Sequence, residues 1–241
     1  MAITKNHIES NLKRIRGQIA ASCKKAGRST KEVTLIAVTK SVETDTIRHL
    51  LDLGLTELGE SRALQFAQRV GEIDAYVQRR RNPLPSPVKW HMIGHLQRNK
   101  VKPIIETASL IHSLDSLRLG EEINARAERM GIVSDILLQV NCSKEPQKFG
   151  CAVGAALHLC EMLSTMKNLR LSGLMTMAPL SETPEDARPS FVRLREVFDE
   201  IRKEGAGGPH FRHLSMGMSN DYPIAVEEGA TLVRIGTALF E

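Results

Sequence analysis

Lys40 stands where the apolar run Val33-Thr-Leu-Ile-Ala-Val-Thr39 stops, and that β-branched run reads as a fully buried strand. An amine fixed at the end of such a strand, with apolar walls behind it, loses its proton more readily than one in water. A neutral amine can attack an aldehyde and hold it as an imine. The same residue also reads as a surface lysine in a strand-to-helix turn. Towards the other end, His213-Leu-Ser-Met-Gly-Met-Ser219 and Thr231-Leu-Val-Arg-Ile-Gly-Thr237 each present a short apolar strand followed by glycine and hydroxyl residues. Such residues let backbone N–H groups approach a phosphate closely, and Ser219 also suits the N-cap of a following helix. The lysine and the two turns together point to an aldehyde that carries a phosphate.

Those residues need strands to hold them. Candidate strands recur at Val33–Thr39, Glu57–Gly59, Lys89–Ile93, Leu110–Leu114, Ile136–Asn141, Leu171–Met177, His213–Met216 and Leu232–Ile235. Helical patterns fall between them, near 43–53, 61–80, 97–106, 116–130, 153–166, 184–204 and 219–228. An extra N-terminal helix, about residues 5–26, is marked by the stripe Ile8, Leu12, Ile15, Ile19 and Cys23 before Gly27. Strands alternating with helices imply a parallel sheet. Eight of them at this length predict an α/β fold, a single (β/α)8 TIM barrel over about residues 33–241. An open doubly wound sheet is the competitor, but no G-x-G-x-x-G opens a helix after a strand. A closed barrel sets first and last strands side by side, with its site at the C-terminal strand ends. Arg234 alternates with Val233 and Ile235, so if those two pack outward its guanidinium enters the barrel mouth, where it needs an acceptor.

Composition narrows the function classes. The 241 residues are 41% hydrophobic and 25% charged, enough for an ordinary core in a soluble chain. No apolar run has the length of a membrane span, and the N-terminus resembles neither a signal nor a transit peptide. Cys23, Cys142, Cys151 and Cys160 show no metal-type spacing, which suits a reducing cytoplasm. The net charge of +5 admits an anionic ligand. The densest basic run, Gln78 to Arg81, lacks interleaved aromatics and reads as a solvated helix end, so no nucleic-acid partner is expected.

Seven segments carry a family resemblance: Ala37-Val-Thr-Lys40, Gly59-Glu-Ser-Arg62, Trp90-His-Met-Ile-Gly94, Leu96-Gln-Arg-Asn-Lys100, Gly173-Leu-Met-Thr-Met177, Leu214-Ser-Met-Gly-Met-Ser219 and Val233-Arg-Ile-Gly-Thr237. In this order and spacing the chain resembles the pyridoxal-phosphate homeostasis proteins, whose fold is like the barrel domain of alanine racemase. The resemblance implies that Lys40 forms the internal aldimine with pyridoxal 5′-phosphate. It implies that Ser215, Gly236 and Thr237 hold the phosphate and that Arg234 faces the pyridine nitrogen. Ser61, His91 and Met216 lie within matching motifs and are further candidate contacts with the cofactor. His91 reads equally well as a buried, hydrogen-bonded histidine. The methionines at 175, 177, 216 and 218 also suit packing, since Met fills irregular gaps, and Trp90 also suits the core. Ser61 stands where the family usually has asparagine, and His95 where it usually has proline; the latter reads as an exposed loop residue. Lys148 resembles a family lysine and also reads as a solvated loop residue.

An arginine against the ring nitrogen keeps that nitrogen unprotonated, because two cations in contact repel. The ring is then a poorer electron sink. The sequence given stops at Glu241 after the last strand, which reads as a shortened C-terminus, without the β-domain and tyrosine of alanine-racemase-like enzymes. Two-base chemistry would need another donor, such as His91. The resemblance therefore implies intracellular cofactor buffering and delivery without robust turnover by a monomer, with pyridoxal-phosphate-dependent apoenzymes as recipients. A slow amino-acid racemase is the alternative, and a Schiff-base aldolase needs only the lysine and the phosphate turns.

Overall fold

The computed structural model describes residues 3–143, 145 and 147–241. Its frame is a closed parallel barrel with surrounding helices. Strands β1 (Thr34–Val38), β2 (Glu57–Glu60), β3 (Lys89–Met92), β4 (Ala108–Leu114) and β5 (Ser134–Asn141) are followed by a two-residue strand, β6 (Cys151–Ala152). Then come β7 (Leu169–Met175), β8 (His213–Ser215) and β9 (Leu232–Ile235). The barrel runs β4-β3-β2-β1-β9-β8-β7-β5, and β4 pairs with β5 to close it. β6 pairs with the end of β5. The last strand lies beside the first over four residue pairs, Thr34 with Leu232 through Ala37 with Ile235.

Alternation along the strands divides the apolar residues into two shells. Ile36, Leu110, Leu137, Met175 and Leu232 cluster together inside the barrel. A much larger cluster joins the outer strand faces, including Ala37, Val233 and Ile235, to the helices. Those helices are α1 (Lys5–Lys25), α2 (Thr44–Asp52), α3 (Ala63–Gln78), α4 (Val101–Ile105), α5 (Leu117–Met130), α6 (Ala156–Ser164), α7 (Arg188–Lys203), α8 (Tyr222–Glu227) and α9 (Thr237–Phe240). All eight expected strands form, with no end moved by more than two residues. β6 and α9 are too short to produce a periodic pattern, and sequence reading passed over both.

The N-terminal helix is built as its stripe predicts. Thr4 caps it by accepting from His7 N, and Ile8, Leu12, Ile15, Ile19 and Cys23 are all buried. Full burial of each isoleucine or leucine contributes about 1.5–3 kcal/mol. The stripe packs on α8 and α9. On its flank, Asn11 donates to Leu239 O (3.2 Å) and Arg14 to Ala238 O (2.9 Å). These side chains satisfy carbonyls that a four-residue helix cannot satisfy itself.

Candidate functional site

The C-terminal strand ends enclose a cavity of about 410 Å³. Lys40 reaches it from the turn after β1, Ser61 from the end of β2, and Ile93 with Gly94 from the end of β3. Met177 follows β7, Met218 to Asp221 follow β8, and Arg234, Gly236 and Thr237 come from β9 and the turn beyond it. Lys40 is exposed. The apolar enclosure expected of it is therefore not found, because the strand stops at Val38 and two residues carry the chain out to the rim.

The turn that bears Lys40 is fixed from below. Glu60, fully buried, pairs with Arg69 of α3 at 2.6 Å. The same guanidinium donates to the carbonyls of Thr39 and of Val42, the latter at 2.7 Å. The other Glu60 oxygen accepts from Ser61 N at 2.7 Å. One carboxylate thus ties the turn after β1 to the turn after β2. A side chain on Gly94 would place its Cβ 2.1 Å from Ser61 O, so only glycine lets the β3 turn lie against this assembly.

The opposite wall is made of backbone amides, hydroxyls and one carboxylate. Ser219 does not cap α8; Asp221 stands at that N-cap position. Instead Ser219 Oγ accepts from Gly236 N (3.3 Å) and Ala238 N (3.1 Å), gathering the first amides of α9 at the cavity. The preceding Gly217 has φ +93°, and a Cβ there would meet Ala225 at 2.6 Å. Asp221, also on the wall, accepts from Met218 N. Burial raises its carboxyl above the usual range, against the lowering influence of the Met218 N–H and of Arg234.

Arg234 is 4% exposed. It donates to Ser215 Oγ at 2.6 Å and to Thr176 O at 3.0 Å, both neutral acceptors. Burial pulls its pKa down to about 10, with Asp221 opposing, so it remains a cation at neutral pH. Two contacts leave donor capacity in a group with five N–H bonds, and Arg234 lines the cavity.

Lys40, Ser61, Arg234, Gly236 and Thr237 meet at this cavity, whereas Ser215, His91 and Met216 do not reach it. Ser215 lies beneath the cavity, fully buried against Arg234 and His112. His91 faces the other end of the barrel, bonded to Glu57 and His112, because β3 runs on to Met92 and its last inward position is not its C-terminal end. Met216 is buried in the outer core; adjacent strand residues point to opposite faces, so Ser215 inward puts Met216 outward. Met177 and Met218, read as packing, line the cavity. Trp90 is core, tilted against Phe66. His95 is the exposed loop residue expected, and it also lines the cavity, stacks on Phe149 with ring centroids 3.9 Å apart, and lies 3.2 Å from Asp115. Lys148 is held by Glu145 and by Ala178 O rather than solvated.

The geometry defines a class: a parallel barrel whose strand-end lysine, buried arginine and amide-lined turn share one cavity. The family model described as alanine racemase, N-terminal domain, matches residues 3–241. A pyridoxal phosphate homeostasis protein of Aquifex aeolicus is 39% identical over 229 residues, covering 95% of each chain. One from Escherichia coli K12 is 32% identical over 240 residues, 98% of this chain and 96% of its own. Among solved structures, PipY of Synechococcus elongatus with pyridoxal phosphate bound superposes with a TM-score of 0.77 at 30% identity, over 92% of this chain and all of that one. Clostridium difficile alanine racemase shares the fold, with a TM-score of 0.75 at 12% identity over 99% of this chain and 57% of its own. The chain belongs to the pyridoxal phosphate homeostasis protein family.

Proposed function

We propose that this protein binds pyridoxal 5′-phosphate at the C-terminal mouth and serves cofactor homeostasis, buffering and delivering it to apoenzymes without robust catalytic turnover. The observation that carries this is the convergence of Lys40, Arg234 and the Gly236–Thr237 turn on one cavity. The residues suit the group. Lys40 supplies an amine for the aldehyde, the Thr237 amide and hydroxyl with the Ser219 hydroxyl suit the phosphate where Gly236 leaves room, and Arg234 offers spare N–H donors to the ring nitrogen. When bound, the cofactor supplies an aldehyde and an electron-accepting ring. Arg234 restrains the second property: a fixed cation disfavours protonation of the ring nitrogen. The names of the relatives and the bound PipY structure support the same reading.

The test is the visible spectrum of protein incubated with pyridoxal phosphate, followed by borohydride reduction and peptide mapping. An imine band and a reduced label on Lys40, both absent from Lys40→Ala, are expected. A band without label at Lys40 would move the attachment point; no band would end the reading and favour the aldolase. The slow-racemase alternative loses His91 as its acid, since that ring lies outside the cavity, but His95 beside Asp115 does line it. Inversion of alanine or serine at ordinary enzymatic rates, abolished by Lys40→Ala, would replace homeostasis with catalysis.

A further inference from the structure

Beneath the cavity a polar chain crosses the barrel. Arg234 Nη1 donates to Ser215 Oγ (2.6 Å), Ser215 Oγ meets His112 Nδ1 (2.8 Å), and His112 Nε2 meets His91 Nδ1 (2.9 Å). His91 Nε2 then meets Glu57 Oε2 (2.7 Å). Ser215 and His112 are fully buried and His91 is 4% exposed. Glu57 and His91 line a second cavity at the N-terminal mouth. The series therefore begins at the candidate site and ends at the opposite face of the barrel.

Its two ends constrain the protons along it. A guanidinium can only donate and a carboxylate can only accept. Burial raises the Glu57 carboxyl, but hydrogen bonds from His91 and Lys89 outweigh it and hold the group below its usual range, so it is ionised at neutral pH. With both imidazoles neutral, one arrangement satisfies every contact. Ser215 gives its hydrogen to His112 Nδ1, His112 gives Nε2–H to His91 Nδ1, and His91 gives Nε2–H to Glu57. Adding one proton to His91 permits a second arrangement. His91 keeps Nε2–H on Glu57 and donates Nδ1–H to His112 Nε2. Neutral His112 must then carry its single hydrogen on Nδ1 and donate it to Ser215. The Ser215 oxygen now takes two donors, His112 and Arg234, and its own hydrogen must turn to another acceptor.

We propose that His112 and, behind it, His91 are positioning residues for Arg234, coupling protonation at the N-terminal mouth to the hold on the guanidinium that faces the ligand. The inference rests on the site proposed above only for what that ligand is. The charged and titratable groups around His91 are Glu57 on β2, Lys89 on β3, His112 on β4 and His213 on β8, with Asp135 of β5, Arg170 of β7, His210 and Arg212 nearby at the same mouth. Those felt by His112 are His91, Arg234 and His213. Among the described residues no carboxylate touches His112, and burial, together with these neighbours, keeps its pKa far below that of an ordinary histidine. His91 is the ring in contact with the carboxylate, so the second arrangement places the extra proton there, beside Glu57, and His112 answers by changing tautomer rather than charge.

Nitrogen-15 NMR of the histidine rings in cofactor-free protein, followed against pH, reads both states directly. At high pH His91 and His112 are expected as neutral Nε2–H tautomers. As His91 becomes doubly protonated, His112 is expected to switch to Nδ1–H with the same midpoint. A His112 that keeps one tautomer while His91 titrates would overturn the coupling, as would a His91 that stays neutral down to acid unfolding. With pyridoxal phosphate bound, the absorption band is expected to shift with that midpoint, and H91Q to lose the shift. A band that responds to pH equally in H91Q would overturn the link to Arg234. Failure to take up the cofactor would instead overturn the function proposed above and leave the ring tautomers to decide the coupling.

Discussion

The two mouths of the barrel handle charge differently. At the C-terminal mouth, Glu60 is fully buried and Arg69 is 12% exposed, and each also bonds backbone groups of the turns that carry Lys40 and Ser61. At the N-terminal mouth, Lys89 pairs with Glu57 at 2.9 Å and Arg170 with Asp135 at 3.4 Å, with the Lys89 side chain 54% and the Arg170 side chain 43% in solvent. A pair open to water is screened and contributes little. A buried pair that loses one member leaves an uncompensated charge in low dielectric. The C-terminal mouth is therefore built for fixed geometry, and the N-terminal mouth can exchange protons and counter-charges with solvent.

Substitutions on the two sides should separate these roles. Arg69→Ala strands the Glu60 carboxylate and should cost about 3–5 kcal/mol, read as a lower urea midpoint; a loss below about 1 kcal/mol would show the turns to be held by something else. Ser215→Ala removes the hydroxyl shared by Arg234 and His112. It should cost about 1–3 kcal/mol, the penalty for buried partners left unsatisfied. Acid should act through the interior histidines. Burial lowers the pKa of His112, and that of His213 falls to about 4. On these two rings the unfolded chain takes up protons below about pH 6.5 and the folded one does not, so stability should fall as pH drops from there. The slope is up to about 1.4 kcal/mol per pH unit for each histidine kept uncharged while fully buried, and the share of His213 levels off near pH 4. A urea midpoint constant between pH 7 and 5 would contradict this. Lys89→Ala, by contrast, should change stability by less than about 1 kcal/mol and lose even that in high salt.

Much of the frame was readable from sequence. Eight apolar runs at strand length and a five-residue stripe at helical spacing are local patterns, and strand and helix form where they fall. Lys40, Arg234, Gly236 and Thr237 were readable as a cavity set because each sits at a strand end, and a parallel barrel sends all such ends to one face. His112 was not, since it interrupts the apolar strand Ala108–Leu114 and only the closed barrel sets it between His91 and Ser215. His91 and Met216 were misplaced for the complementary reason: a motif gives the neighbourhood of a residue, but pleat and strand end decide which face it serves. Glu60 and Arg69 are nine residues apart on different elements, and their joint grip on the Lys40 turn is a tertiary fact.

The pairing of the first strand with the last has a consequence for assembly. Lys40 and Arg234 are separated by almost the whole chain, and β9 inserts between β1 and β8. Contacts so distant in sequence are costly to close and form late. During synthesis, the turn bearing Lys40 should exist well before the amides and guanidinium that complete the cavity, leaving a growing chain with the amine but no pocket. Native-state hydrogen exchange should show the β1 and β9 amides opening together, as one cooperative seam; independent opening would mean that the cavity half on β1 has an architecture of its own.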